Sequence, residues 1–239
     1  SLALRQSRAV AREMADCAVR ALNNALTVLD HNTPELAQSI RDDEELCDHY
    51  EDILGTYLVK LSTRRISAAD STEAARLLKI IGDFERIADH AVNLLQSAEE
   101  LREKKMSLSR PAVKELGVLT GAVDEILGLS LDAFLKDDYS AAGMVEPLEQ
   151  VIDGLKEQLR TNHILRLQKE QCSIEAGFVW SDLLTNLERV SDHCSNIAGC
   201  VMDMHEGKLN LHESLRAVKE DREKFAERFE QYQKKYAVQ

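Results

Sequence analysis

The sequence has 239 residues with only ten glycines and three prolines, and a formal net charge of −12. So little turn chemistry excludes a sandwich, barrel or propeller, which need a turn about every 8–12 residues, and the acidity excludes a generic nucleic-acid binder. At 44% hydrophobic and 30% charged residues, the chain folds around one large core or two smaller ones.

The three prolines and the polar punctuation cut the sequence into long helices. The first runs from near Leu4 to Leu29, with Met14, Ala18, Ala21, Leu22, Ala25 and Leu29 at three- and four-residue spacing. After the Asp30-His31-Asn32 turn, Thr33 and Pro34 restart the chain as N-cap and first helical residue. The second helix carries Ile40, Leu46, Tyr50, Ile53, Leu54, Leu58 and Leu61. A third starts near Asp70-Ser71 and reaches about Lys104, and a fourth runs from Ser109-Arg110-Pro111 to Lys136-Asp137-Asp138. The fifth spans Ser140 to Lys169 and the sixth Ser173 to Met204, stopped by His205-Glu206-Gly207 with Gly in its helix-ending role. A charged seventh helix, about His212 to Tyr236, completes an all-α chain. Phe178 and Trp180 read as core anchors of the sixth helix. Phe225, Phe229, Tyr232 and Tyr236 form an aromatic edge on the last, which either folds back on the bundle or docks a partner.

No segment approaches the ~20 apolar residues of a membrane span, and the start lacks the pattern of a signal peptide. Cys17, Cys47, Cys172, Cys194 and Cys200 form no CxxC pair, and their apolar surroundings predict reduced, mostly buried thiols.

The sequence repeats itself. Glu85-Arg86-Ile87-Ala88-Asp89-His90-Ala91-Val92-Asn93 in the third helix returns as Glu188-Arg189-Val190-Ser191-Asp192-His193-Cys194-Ser195-Asn196 in the sixth, 103 residues later. Glu44 and Asp48 in the second helix are echoed by Glu149 and Asp153 in the fifth, 105 residues later. Two matches in the same order predict a duplicated three-helix unit. The expected divisions are residues 1–106, 107–206 and an additional helix at 207–239.

At about 100° per residue, Glu85 falls at the shoulder of the apolar stripe through Phe84, Ala88 and Leu95, with Asp89 one turn away. Like charges at this spacing repel, and a carboxylate near a core is costly unless paired. Either a neighbouring arginine or a hard or borderline cation relieves them. The same holds for Glu188 and Asp192, with Glu44, Asp48, Glu149 and Asp153 as second-helix oxygens. His90 and His193 project away from the carboxylates, which favours inter-helix hydrogen bonds for them. A ferritin-like site would need Glu-x-x-His on two helices, and neither Glu85 nor Glu188 has it. Phosphate loops, nucleophile elbows and His-Glu-x-x-His motifs are missing from the sequence.

The duplicated Glu-Arg-(Ile/Val)-x-Asp-His-x-x-Asn, over Glu85–Asn93 and Glu188–Asn196, resembles the E(D)xxxD signature of PhoU proteins, and the resemblance covers about residues 1–205. It implies tandem three-helix bundles whose motifs hold iron, zinc or similar metal clusters. Glu85, Asp89, Glu188 and Asp192 then become metal ligands, joined by Glu44, Asp48, Glu149 and Asp153. The seventh helix and Tyr57–Ser62 look more like the C-terminal domain of bacterial sodium/phosphate cotransporters, and the opening Ser1 fits a chain cut from a longer one. The preferred expectation is a regulatory domain at the cytoplasmic face of the cell membrane, acting on a transporter membrane domain in the same chain or complex. The alternative is a stand-alone cytoplasmic regulator that contacts a histidine kinase and a phosphate ABC transporter. Homo-oligomers fit either reading. No enzymatic activity is expected; a metal-dependent phosphoesterase is the weakest reading and needs two metals with an open water position.

Overall fold

The computed structural model describes the backbone of residues 1–206 and 211–239, and the side chains of 1–206 and 220–239. These residues form seven helices: α1 Leu2–Asp30, α2 Pro34–Ser62, α3 Ala68–Glu103, α4 Arg110–Lys136, α5 Tyr139–Gln168, α6 Ile174–Glu206 and α7 Leu211–Lys235. Among the described residues there is no strand, and no helix is long and apolar enough to cross a membrane. The expected Gly207 stop lies outside them.

Side-chain caps fix most of the helix starts. Thr33 accepts from Leu36 N ahead of α2, and Ser109 from Ala112 N ahead of α4. Asp137 ends α4 in the left-handed region, which aspartate tolerates, and Asp138 at once caps α5 through Ala141 N. The third helix begins earlier than Asp70, because Ser67 is its cap and accepts from Asp70 N.

The helices pack in two sets. α1, α2 and α3 contact one another, as do α4, α5 and α6, while α3 lies on α6 and α1 touches α4. The core is aliphatic, and the Phe84 and Phe134 rings meet across the join at 5.5 Å. Trp180 is buried as expected, but Phe178 is 69% exposed. Two residues along a helix is a turn of about 200°, so a sequence with Trp180 and Val179 inward must turn Phe178 outward.

Pro147 does not end a helix: it lies inside α5. A proline ring removes the N–H that would bond the carbonyl four residues back, which is that of Gly143. Arg228 of α7 supplies the missing donor, its Nη1 standing 2.9 Å from Gly143 O. A Cβ at Gly143 would sit 2.9 Å from the same nitrogen, so a side chain there would push the guanidinium aside. The aromatic edge of α7 folds back on the bundle: Tyr232 is buried, and Lys235 and the Tyr236 hydroxyl both reach Glu125 of α4. A carbonyl orphaned in one helix thus helps seat another.

Candidate metal centres

Two groups of carboxylates form at the outer shoulders of the paired helices. In the first half, oxygens of Glu44 on α2 and of Glu85 and Asp89 on α3 all lie within 4.8 Å of one another. In the second half the group is Glu149 and Asp153 on α5 with Asp192 on α6, within the same distance. Asp48 and Glu188 stand beside these groups and not in them. Asp48 adds negative charge against Glu44 and Glu51. Glu188 accepts from Lys156 Nζ at 3.3 Å and also hydrogen-bonds to Asp192.

The two centres are therefore unlike. Lys156 lies three residues after Asp153, and Glu51 three residues after Asp48. Where the second half presents an ammonium, the first presents another carboxylate, which hydrogen-bonds to Glu85. Among the described residues no lysine or arginine forms an ion pair with Glu44, Glu51, Glu85 or Asp89. Arg86, adjacent to Glu85 in sequence, curls back so that its Nη1 lies 3.4 Å from where a Cβ on Gly82 would stand. Extending the Glu44/Asp48 echo by one further turn of helix would have found the Glu51–Lys156 contrast.

Crowding shows in the acidities. Burial, then the hydrogen bonds and repulsion of Asp89 and Glu51, push the Glu85 carboxyl up to about 8. Burial followed by Asp153 and Asp192 pushes Glu149 to about 9, and burial with Glu188 lifts Asp192 to about 6. Glu44 and Asp153 move upward for the same reasons. Burial opposes the ionisation of Glu188, yet the hydrogen bond with Asp192 and the Lys156 ammonium outweigh it and bring that carboxyl down. At neutral pH these centres retain protons where a cation would fit.

The rest of the repeated motif does different work. His90 Nδ1 lies 2.8 Å from Asn186 Oδ1, and Asn93 Nδ2 donates to the same oxygen at 3.1 Å. On the opposite side, His193 Nδ1 lies 3.0 Å from Asp83 Oδ1, which also accepts from Asn196 Nδ2 at 3.3 Å. The two imidazoles stack at 5.4 Å. Asp83 and Asn186 each precede the repeated glutamate by two positions. The His and Asn of each motif thus tie α3 to α6, away from the carboxylates.

All the grouped ligands are carboxylate oxygens, with no histidine or cysteine in either group. Such a donor set fits a hard cation such as Mg²⁺, Mn²⁺ or ferric iron better than one that prefers nitrogen or sulfur.

Comparison with known proteins agrees with this architecture. The model of the PhoU domain family matches residues 11–98 and 118–201. The chain is 25% identical over 198 residues to the phosphate-specific transport system accessory protein PhoU homolog 1 of Thermotoga maritima, covering 82% of this chain and 84% of that one. It is 28% identical over 202 residues to a PhoU homolog of the same description from Zymomonas mobilis, with 84% of each covered. The crystal structure of PhoU from Pseudomonas aeruginosa superposes with a TM-score of 0.79 at 24% identity, over 87% of this chain and 99% of that one.

Proposed function

The chain belongs to the PhoU family, and from that premise we propose that it is an accessory regulator of a phosphate transport system, acting through metal cations held by its two carboxylate centres. The relatives it matches along most of their length are named as accessory proteins of phosphate-specific transport, so this reading takes precedence over a cotransporter domain. A family of accessory proteins is also one of regulators, not of enzymes.

The observation that carries the metal reading is the first centre: Glu44, Glu85 and Asp89 converge, Glu51 adjoins them, and among the described residues no lysine or arginine forms an ion pair with them, the Arg86 charge acting only on Glu51 and from farther off. Glu44, Glu85 and Asp89 would hold the ion there, and Glu149, Asp153 and Asp192 in the second half. A bound cation supplies positive charge to a strongly acidic surface. It would let that surface meet a phosphate group or an acidic partner which the bare carboxylates repel. Contacts with transporter components or with a histidine kinase belong to this same proposal.

The test combines metal analysis of freshly purified protein with phosphate uptake in cells carrying Glu85→Ala and Asp192→Ala, one ligand from each centre. Bound metal in the parent and deregulated uptake in the variant are expected. Protein that neither retains nor takes up metal, with regulated uptake unchanged in the variant, would end the metal-centred reading.

A further inference from the structure

α2 packs on α1 and α3, and its counterpart α5 packs on α4 and α6 and also beneath α7. α7 lies along an outer face of α5 that is marked at one end by Arg228, 2.9 Å from Gly143 O, and at the other by Gln158, whose Nε2 is 3.5 Å from Val238 O. Between those ends Val151 and Leu155 are 7% and 4% exposed, and Phe229, Tyr232 and Tyr236 pack against the core. Their three- and four-residue spacing is the pattern by which an amphipathic helix anchors in a groove.

The 105-residue repeat puts the same face on α2, and there it is bare. Val151 corresponds to Leu46, Leu155 to Tyr50 and Gln158 to Ile53. Leu46 is 41% exposed, Ile53 57% and Tyr57, one turn further on, 44%. The bare face is also the more apolar of the two, because α5 has Gln158 and Asn162 where α2 has Ile53 and Tyr57. An exposed apolar stripe of this kind marks an interaction surface. At about 100° per residue, Leu46, Ile53 and Tyr57 fall within about 40° of the direction opposite Glu44, so the face is separate from the first metal centre. Its surroundings are acidic: Asp42, Glu45 and Asp52 are exposed beside it on α2, and Glu13 of α1 accepts from the Tyr50 hydroxyl at 3.3 Å. Against these stand Lys60 and His49, with Arg20 already paired to Asp43.

We propose that this face of α2 seats an amphipathic helix of a partner protein, one with aromatic or aliphatic residues at three- and four-residue spacing bordered by lysine and arginine. The precedent is α7, which brings Arg228 and Lys235 along with its aromatic residues, the lysine onto Glu125. Charge decides against a second copy of the chain pairing through the same face, since that would lay one acidic border on another. The first half then receives in trans the kind of helix that the second half carries in cis.

The probe is a fluorescein-labelled synthetic peptide of residues 220–239, added to the full chain and followed by fluorescence anisotropy. Saturable one-to-one binding is expected. Ile53→Lys and Leu46→Lys, both at exposed positions, weaken it about tenfold or more while thermal melting stays that of the parent. Val59→Lys is the control: Val59 is 53% exposed but lies about 120° around the helix from Ile53, and the variant binds as the parent does. A peptide carrying Arg228→Glu and Lys235→Glu binds about tenfold more weakly or worse. No saturable binding, or binding equally strong in Ile53→Lys because the peptide merely displaces α7 from α5, overturns the proposal. So does light scattering that finds a dimer of the parent which Ile53→Lys dissolves, since the occupant would then be a second copy.

Discussion

Glu85→Gln in metal-free protein is the sharpest probe of the first centre. Glu85 ionises at about 8 in the folded chain against an ordinary 4.5, so the folded state binds its proton more tightly than the unfolded state does. A raised carboxyl stabilises the fold below about 4.5 and loses that contribution as the pH climbs through about 8. At about 1.36 kcal/mol per unit, the ceiling for this loss at about pH 8 is roughly 4 kcal/mol. Glu85 keeps contact with water, however, and screening reduces the expected loss to about 1–2 kcal/mol. Urea denaturation at about pH 5 and about pH 8 measures it. The parent should lose that amount across the interval, and Glu85→Gln, which is neutral at both, should lose less by the same amount. A divalent cation at about 100 times its Kd should then restore about 2.7 kcal/mol to the parent at the higher pH and less to the variant. Parallel pH profiles for parent and variant would refute the reasoning, because they would mean that Glu85 is solvated and relieved without a cation.

Other expectations follow from the same geometry. Lys156→Gln frees Glu188 and should raise metal affinity in the second half about tenfold, or about 1.4 kcal/mol, while Glu51→Lys should lower it in the first by a similar factor; calorimetric titrations unmoved by either change would contradict the asymmetry. Arg228→Met strips the donor from the Gly143 carbonyl at a cost of about 1–3 kcal/mol, seen as faster amide exchange along α7. Adding Pro147→Ala returns a helical N–H to that carbonyl and should recover part of the loss. Asp83→Ala leaves His193 and Asn196 without their acceptor and should cost about 1–3 kcal/mol in denaturant unfolding, with a value near zero arguing that water replaces the carboxylate.

The helices were legible because apolar spacing and caps such as Thr33, Ser109 and Asp138 act locally, within one turn of the residues that reveal them. The carboxylates that converge were legible through duplication, since Glu44, Glu85 and Asp89 have counterparts at matched offsets. What escaped notice depends on who faces whom across helices. Lys156 sits where the first half has Glu51, and only the packing of α5 on α6 brings its ammonium to Glu188. Asp83 and Asn186 lie just outside the matched nine-residue segments, and their role exists only when α3 meets α6. The expected fifth helix already ran through Pro147, but the donor that serves the carbonyl it abandons, Arg228, lies 81 residues later and on another helix.

The α3–α6 seam has a consequence for how the two halves relate. His90 reaches Asn186, and His193, its counterpart, reaches Asp83, the counterpart of Asn186. In two identical subunits such reciprocity defines a self-complementary twofold interface, in which residue i of one meets j of the other and j meets i. Here one chain carries both sides, so each side is free to drift alone. At the residues facing the histidines the two sides differ, with aspartate on one and asparagine on the other, leaving a single carboxylate beside two stacked imidazoles. The seam has the pairing of a twofold dimer interface within a single chain, and its broken symmetry parallels the contrast of Glu51 with Lys156 at the carboxylate centres.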